Sequence, residues 1–134
     1  MACWFFLSDP ESYHLDQLFA SKKDVWDGVF GGAAQRHLAA IKKGDKVIGY
    51  HTAPEKSAYC EIEVVSDAYQ NPEISDKTNW VVDLKAVKKF ARPVPLAELK
   101  AKLPDMKLFK IPRPIAVSPL TQAEYDAIVK LGSK

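Results

Sequence analysis

Residues 57–65 read SAYCEIEVV, in which Ala58, Cys60, Ile62 and Val64 alternate against Tyr59, Glu61 and Glu63. A period of two is the signature of a pleated strand with one buried face. Such a strand needs partners, and three other segments supply them. ACWFFLS (2–8) is apolar on both alternating faces, as in a strand covered on both sides, while DKVIGYHT (45–52) and NWVVDLKAV (79–87) complete a sheet of four or more strands. KKGD (42–45) reads as the turn from a helix into a strand.

Helical stripes lie between and after these strands. The last is the best signalled. Thr121 and Glu124 form a capping box, Leu120 and Tyr125 occupy staple positions, Ile128 and Leu131 continue the stripe, and Gly132 stands where a C-cap belongs. Leu96, Leu99 and Leu103 follow RPVP; Ala34, Leu38 and Ile41 form a third stripe; residues 12–21, with Leu15, Leu18 and Phe19, form a fourth. There is no internal repeat and no linker. The expectation is one α+β domain over residues 1–134, with a small curled sheet or β-barrel flanked by helices.

At 134 residues, 47% hydrophobic and 27% charged, the chain can bury a core, so disorder is excluded. No stretch approaches the ~18 apolar residues of a membrane span, and MACWFFLSDPE lacks a basic n-region, so a cytoplasmic protein without a membrane partner is expected. Cys3 and Cys60 sit apart in apolar runs and read as reduced core cysteines. The net charge of +2 is unevenly spread. Residues 85–113 carry nine Lys and Arg against Glu98 and Asp105, a balance of +7 against −5 for the remainder. That segment, including Lys88, Lys89 and Arg92, suits phosphate contacts or a solvated lysine-rich face.

The residues offer little catalytic chemistry. His14, His37 and His51 lack metal-ligand spacing, the glycines at 28, 31 and 32 match neither a phosphate loop nor a dinucleotide fingerprint, and no G-x-S-x-G turn occurs. Neither a catalytic residue, nor a metal ligand, nor a cofactor is therefore assigned. VWDGVFGG (25–32) is unusual, because it places Trp26 among turn-forming residues. The indole can face a cavity there, or pack against the first helix.

Five segments in register, CWFFLSDPESYHLDQL, VWDGV, KKGDKVIGYHT, RPVPLAELKA and RPIAVSPLTQAEYDAI, resemble the EVE domain over essentially the whole chain. The resemblance implies a PUA-like fold, a small mixed β-barrel flanked by helices. The EVE domain is similar to the YTH domain, which reads N6-methyladenine in RNA through an aromatic pocket. EVE domains are considered readers of modified bases in DNA or RNA. The implied function is non-catalytic binding of a methylated or hydroxymethylated base, by a monomer.

The resemblance also nominates residues. A base is read once it leaves the stack, held on an aromatic face and gripped at its edge. Trp26 is the implied wall. LSDP places Ser8 and Asp9 at the strand end lining the pocket, GYHT nominates Tyr50 and His51, and Tyr69 is a candidate second wall. Where the family often has arginine-asparagine-tyrosine-glutamine-alanine-arginine, this chain has FGGAAQR, so Gln35 replaces the second arginine and Arg36 stands one position late. Leu7 replaces a lysine. Arg36, Lys88, Lys89, Arg92 and Arg113 are the candidate phosphate or rim contacts.

Plainer roles compete with each nomination. Trp4 and Trp80 read as core, Tyr50 can bury its ring in the sheet, His51 can be a hydrogen-bonded structural histidine, and Asp9-Pro10 is an ordinary turn start. Two other functions stay open: a small-molecule or nucleotide-binding module on the same barrel, and a hydrolase or transferase using His51 with a nearby acid.

Overall fold

A computed structural model describes residues 2–26, 32–70, 79–110 and 115–133. Its elements are β1 (Cys3–Ser8), α1 (Leu15–Ser21), β2 (Lys23–Trp26), α2 (Gly32–Ala39), β3 (Lys46–His51), β4 (Ser57–Val64), β5 (Tyr69–Gln70), β6 (Trp80–Pro95), α3 (Leu96–Lys102), a 3₁₀ turn (Lys107–Phe109), β7 (Val117–Leu120) and α4 (Gln122–Gly132). The sheet order is β2-β6-β4-β3-β1-β7, with β5 paired to β6. β1 and β3 run parallel and the other pairs antiparallel. The fold is mixed α+β, as expected, but the sheet is open. Its terminal strands, β2 and β7, are four residues each and are not paired with one another among the described residues, and α2 packs against both β6 and β7.

Both faces of the sheet are covered, which explains the uninterrupted apolar run of β1. Trp4 and Phe6 join Leu15, Leu18, Trp26, Leu38 and Val117 on one face. Phe5 joins Ile48, Tyr50, Phe90, Leu99 and Ile128 on the other. The alternation of β4 is broken once. Cys60, Ile62 and Val64 lie in the first cluster, while Ala58 belongs to the second, because the register against β6 jumps between Ala58↔Val94 and Cys60↔Lys89. This bulge reverses the face and lets β6 run through RPVP to Pro95, eight residues past its expected end.

Helix α1 begins at Leu15 rather than at residue 12. His14 is the N-cap: its Nδ1 accepts from the Asp16 N–H at 3.1 Å and Gln17 Oε1 accepts from the His14 N–H at 3.0 Å. Gly49 makes room for this helix, since a Cβ there would stand 2.8 Å from Leu15 Cδ1 and 2.9 Å from Cys60 Sγ. Helix α4 has its expected Thr121–Glu124 box, but Gly132 is the last helical residue and Ser133 the cap. Gly132 is required by packing: a Cβ would lie 2.5 Å from the Phe90 ring. Cys3 and Cys60 are free and buried, and burial pushes the Cys60 thiol up to about 12. Among the described residues no helix is long and apolar enough to cross a membrane.

Candidate functional site

The ends of β1 and β2 meet in an aromatic corner. Trp26 closes β2 with its indole 5.7 Å from Phe6 and edge-on to Tyr13 at 5.5 Å, leaving it 9% exposed. Tyr13 is fixed in turn, donating from its hydroxyl to Asp24 Oδ2 at 2.7 Å while its carbonyl accepts from Ser8 Oγ at 2.7 Å. Ser8 is buried on the same face as Phe6, so Ser8 and Trp26 share this corner through Tyr13. Trp80 and Ile115 also pack against this cluster. Tyr13 was not among the expected site residues. The signal for it was its place just before the His14 cap, where an aromatic is positioned by the turn that starts α1.

Asp9 builds that turn. Its carboxylate accepts from the Glu11 N–H at 3.0 Å and from Ser12 Oγ at 3.3 Å, and its carbonyl accepts from the N–H groups of Ser12 and Tyr13. This is local turn chemistry on an exposed residue.

His51 pairs with Ser8 across the β1–β3 ladder and points to the same face. It is fully buried, with rings of His14 at 4.4 Å and Tyr59 at 4.5 Å. Nε2 accepts from the Leu15 N–H at 2.9 Å, so Nδ1 carries the proton and donates to Glu55 Oε2 at 2.8 Å. Burial lowers its pKa, with Glu55 partly offsetting the shift. A neutral imidazole held at both nitrogens ties the sheet to α1 and has no lone pair free for base catalysis.

His14, His51 and Glu55 place three ligand-type atoms within 4.8 Å of one another. Their hydrogen bonds argue against a metal. Both imidazoles accept a backbone N–H on one nitrogen, so the nitrogens that face Glu55, His14 Nε2 at 3.4 Å and His51 Nδ1 at 2.8 Å, carry protons. An imidazole bound to a metal needs that lone pair and donates from its other nitrogen, the reverse of what is seen. The cluster is His51 hydrogen-bonded to the Glu55 carboxylate, with His14 Nε2 3.4 Å from it.

The remaining nominations disperse. Tyr50 lies on the opposite face of the sheet, 5.4 Å from Phe5. Gln35 clasps the first residue of β6, receiving the Trp80 N–H on Oε1 at 2.6 Å and donating from Nε2 to the Trp80 carbonyl at 3.2 Å. Tyr69 donates its hydroxyl to Asp83 Oδ1 at 2.6 Å. Trp4 is core, with Nε1 donating to buried Asp45 at 3.0 Å, and Trp80 is half-buried.

Among the cations, Lys89 lies 2.8 Å from Asp16 and over the Phe19 ring, and Arg92 grips Glu98 at 2.7 and 3.2 Å and the Leu131 carbonyl. The Lys89 bond, with that from Tyr59, holds the Asp16 carboxyl below its usual range. Arg36 and Lys88 are exposed and make no ion pair among the described residues. Arg113 lies outside those residues.

Known proteins share this fold over essentially the whole chain. Human thymocyte nuclear protein 1 is 29% identical over 167 residues, covering 98% of this chain and 74% of the relative. A Rhodopseudomonas palustris protein solved by NMR superposes with a TM-score of 0.90 at 33% identity, covering 98% of this chain and 93% of that one. A crystal structure of human THYN1 in complex with DNA containing 5-methylcytosine superposes with a TM-score of 0.88 at 28% identity, covering 100% and 99% of the two chains. The EVE domain model matches residues 2–131, and with the open mixed sheet and its helices in place, the chain belongs to the EVE domain family.

Proposed function

We propose that this protein is a non-catalytic reader of a modified base in DNA, with 5-methylcytosine as the first candidate, and that the aromatic corner at Trp26 carries the reading. The supporting observation is the likeness over the full chain to human THYN1, whose structure holds 5-methylcytosine DNA. DNA is favoured over RNA on the same ground.

The corner suits the task chemically. The indole is backed by Phe6 and braced by Tyr13, so its orientation is set before a ligand arrives. A base out of the helix would pack against the exposed margin of this rigid group, and the extra methyl would displace water from apolar surface. Of the nominated cations, Arg36 and Lys88, which have no ion-pair partner among the described residues, are the better suited to phosphate. Lys89 and Arg92 already serve in-chain carboxylates.

Near-burial of Trp26 shapes the test. Trp26→Ala should cost on the order of 3–5 kcal/mol of stability, as for Trp4→Ala, because packed volume is lost. Trp26→Phe keeps most of the packing and is the informative variant. Binding of duplexes carrying cytosine, 5-methylcytosine, 5-hydroxymethylcytosine or N6-methyladenine should show preference for one modified form in the parent, and the ratio over the unmodified duplex should fall toward one in Trp26→Phe. A folded Trp26→Phe protein with its preference intact would reject the corner as the reading site.

A further inference from the structure

On the face of the sheet opposite Trp26, a cavity of about 250 Å³ opens between the end of β3, α3 and the 3₁₀ turn. Leu7, Leu96, Leu108 and Phe109 form its apolar walls. A second hollow of about 450 Å³ adjoins it and shares Lys56, Leu96 and Lys100. The pair is of the size that holds small ligands, for which roughly 300–1,000 Å³ is usual.

Three polar features converge on this apolar space. Tyr50 lines it, is only 4% exposed, and has no hydrogen bond from its hydroxyl among the described residues. That hydroxyl is not sealed from solvent, so it opens to the cavity. Lys56 and Lys100 also line the space, and the Lys100 ammonium sits 6.0 Å above the Phe109 ring.

Neither lysine has a carboxylate partner among the described residues. The neighbouring acids are taken: Glu55 by His14 and His51, and Glu98 by Arg92. Lys56 also holds a left-handed backbone, φ 49°, pinned by its carbonyl accepting from the Leu96 N–H at 2.8 Å. A glycine would adopt that turn without strain, and the chain keeps a cation there instead.

We propose that this cavity binds a small organic carboxylate, its hydrocarbon body among Leu7, Leu96, Leu108 and Phe109 and its anionic end held by Lys56, Lys100 and the Tyr50 hydroxyl. Burying hydrocarbon drives the binding, and charge-assisted hydrogen bonds orient the ligand. A nucleobase fits poorly, because the two lysines only donate and leave the N–H groups of its edge short of acceptors. Thr52, the other hydroxyl in the lining, is directed to the Ser8 carbonyl at 3.5 Å. The inference is independent of base reading, which lies across the sheet.

Sodium octanoate and uncharged 1-octanol are the probes, followed on the full chain by amide chemical shifts. Octanoate should give saturable shifts at Leu7, Tyr50, Thr52 and Leu108, and bind about tenfold tighter than octanol. Lys56→Gln with Lys100→Gln, both at exposed positions, should remove that advantage and leave octanol binding unchanged. Tyr50→Phe should weaken octanoate selectively. Absence of saturable shifts, equal binding of the two probes, or indifference to the paired lysine substitutions would each overturn the proposal. Shifts of the same residues by 5-methylcytidine 5′-monophosphate, stronger than by octanoate, would overturn it too and assign the cavity to the base.

Discussion

His51 receives the Leu15 N–H on one nitrogen and donates to Glu55 from the other, in a pocket that also presents His14, Asp16 and Tyr59. Burial depresses its folded pKa below the ordinary 6.5. The unfolded chain therefore takes up this proton first as pH falls. The stabilising contribution is fully present above about pH 6.5 and is lost as pH drops toward the lowered folded value. Melting temperature should fall between about pH 7 and pH 5 more steeply in the parent than in His51→Asn, which lacks the group. Parallel profiles would assign the acid sensitivity to other residues, such as His37, whose pKa burial also lowers. None of this was visible in GYHT, which names a histidine but neither its depth nor its partners.

At the scale of elements, signals written over several adjacent residues survived folding and those depending on a distant neighbour did not. The α4 capping box and the apolar runs of β1, β3 and β4 lie where the sequence places them. β2, β5 and β7 are four, two and four residues long, too short for any period to declare itself. The clasp of Gln35 on Trp80 belongs to this second group, joining residues 45 apart. It fastens α2 to the start of β6, as a strand partner would. Gln35→Ala should cost about 1–3 kcal/mol, since the Trp80 N–H and carbonyl lose these partners. Denaturant titration reads that cost, and hydrogen exchange at the Trp80 amide should accelerate. A variant as stable and as protected as the parent would show that water replaces the side chain.

Across the whole molecule, the excess of positive charge in residues 85–113 divides into cations used in-chain and cations left over. Replacing Arg36 and Lys88 with glutamine should reduce the salt slope of oligonucleotide affinity by about two, near 0.9 per phosphate contact, with little effect on melting. Replacing Lys89 and Arg92 should do the reverse, because Asp16 and Glu98 lose their partners. Equal loss of salt slope in both pairs would mean that the in-chain ion pairs open on binding. Composition showed where the charge lies along the chain, but only the fold shows which part of it is already neutralised.

By itself the sequence determined the α+β class, the buried strands, the final helix, the reduced cysteines and the family resemblance, because each rests on neighbouring residues or on segments in register. The tertiary structure alone decided that the sheet stays open, that Ala58 changes face at a bulge, and that Trp26 leans on Tyr13 and Phe6. It also set Tyr50 and Ser8 on opposite faces although GYHT and LSDP look like parts of one site. The physical reason is the two-residue period of a strand: in the parallel ladder Leu7 pairs with Tyr50 and Ser8 with His51, so one step along either strand carries a side chain from one core to the other.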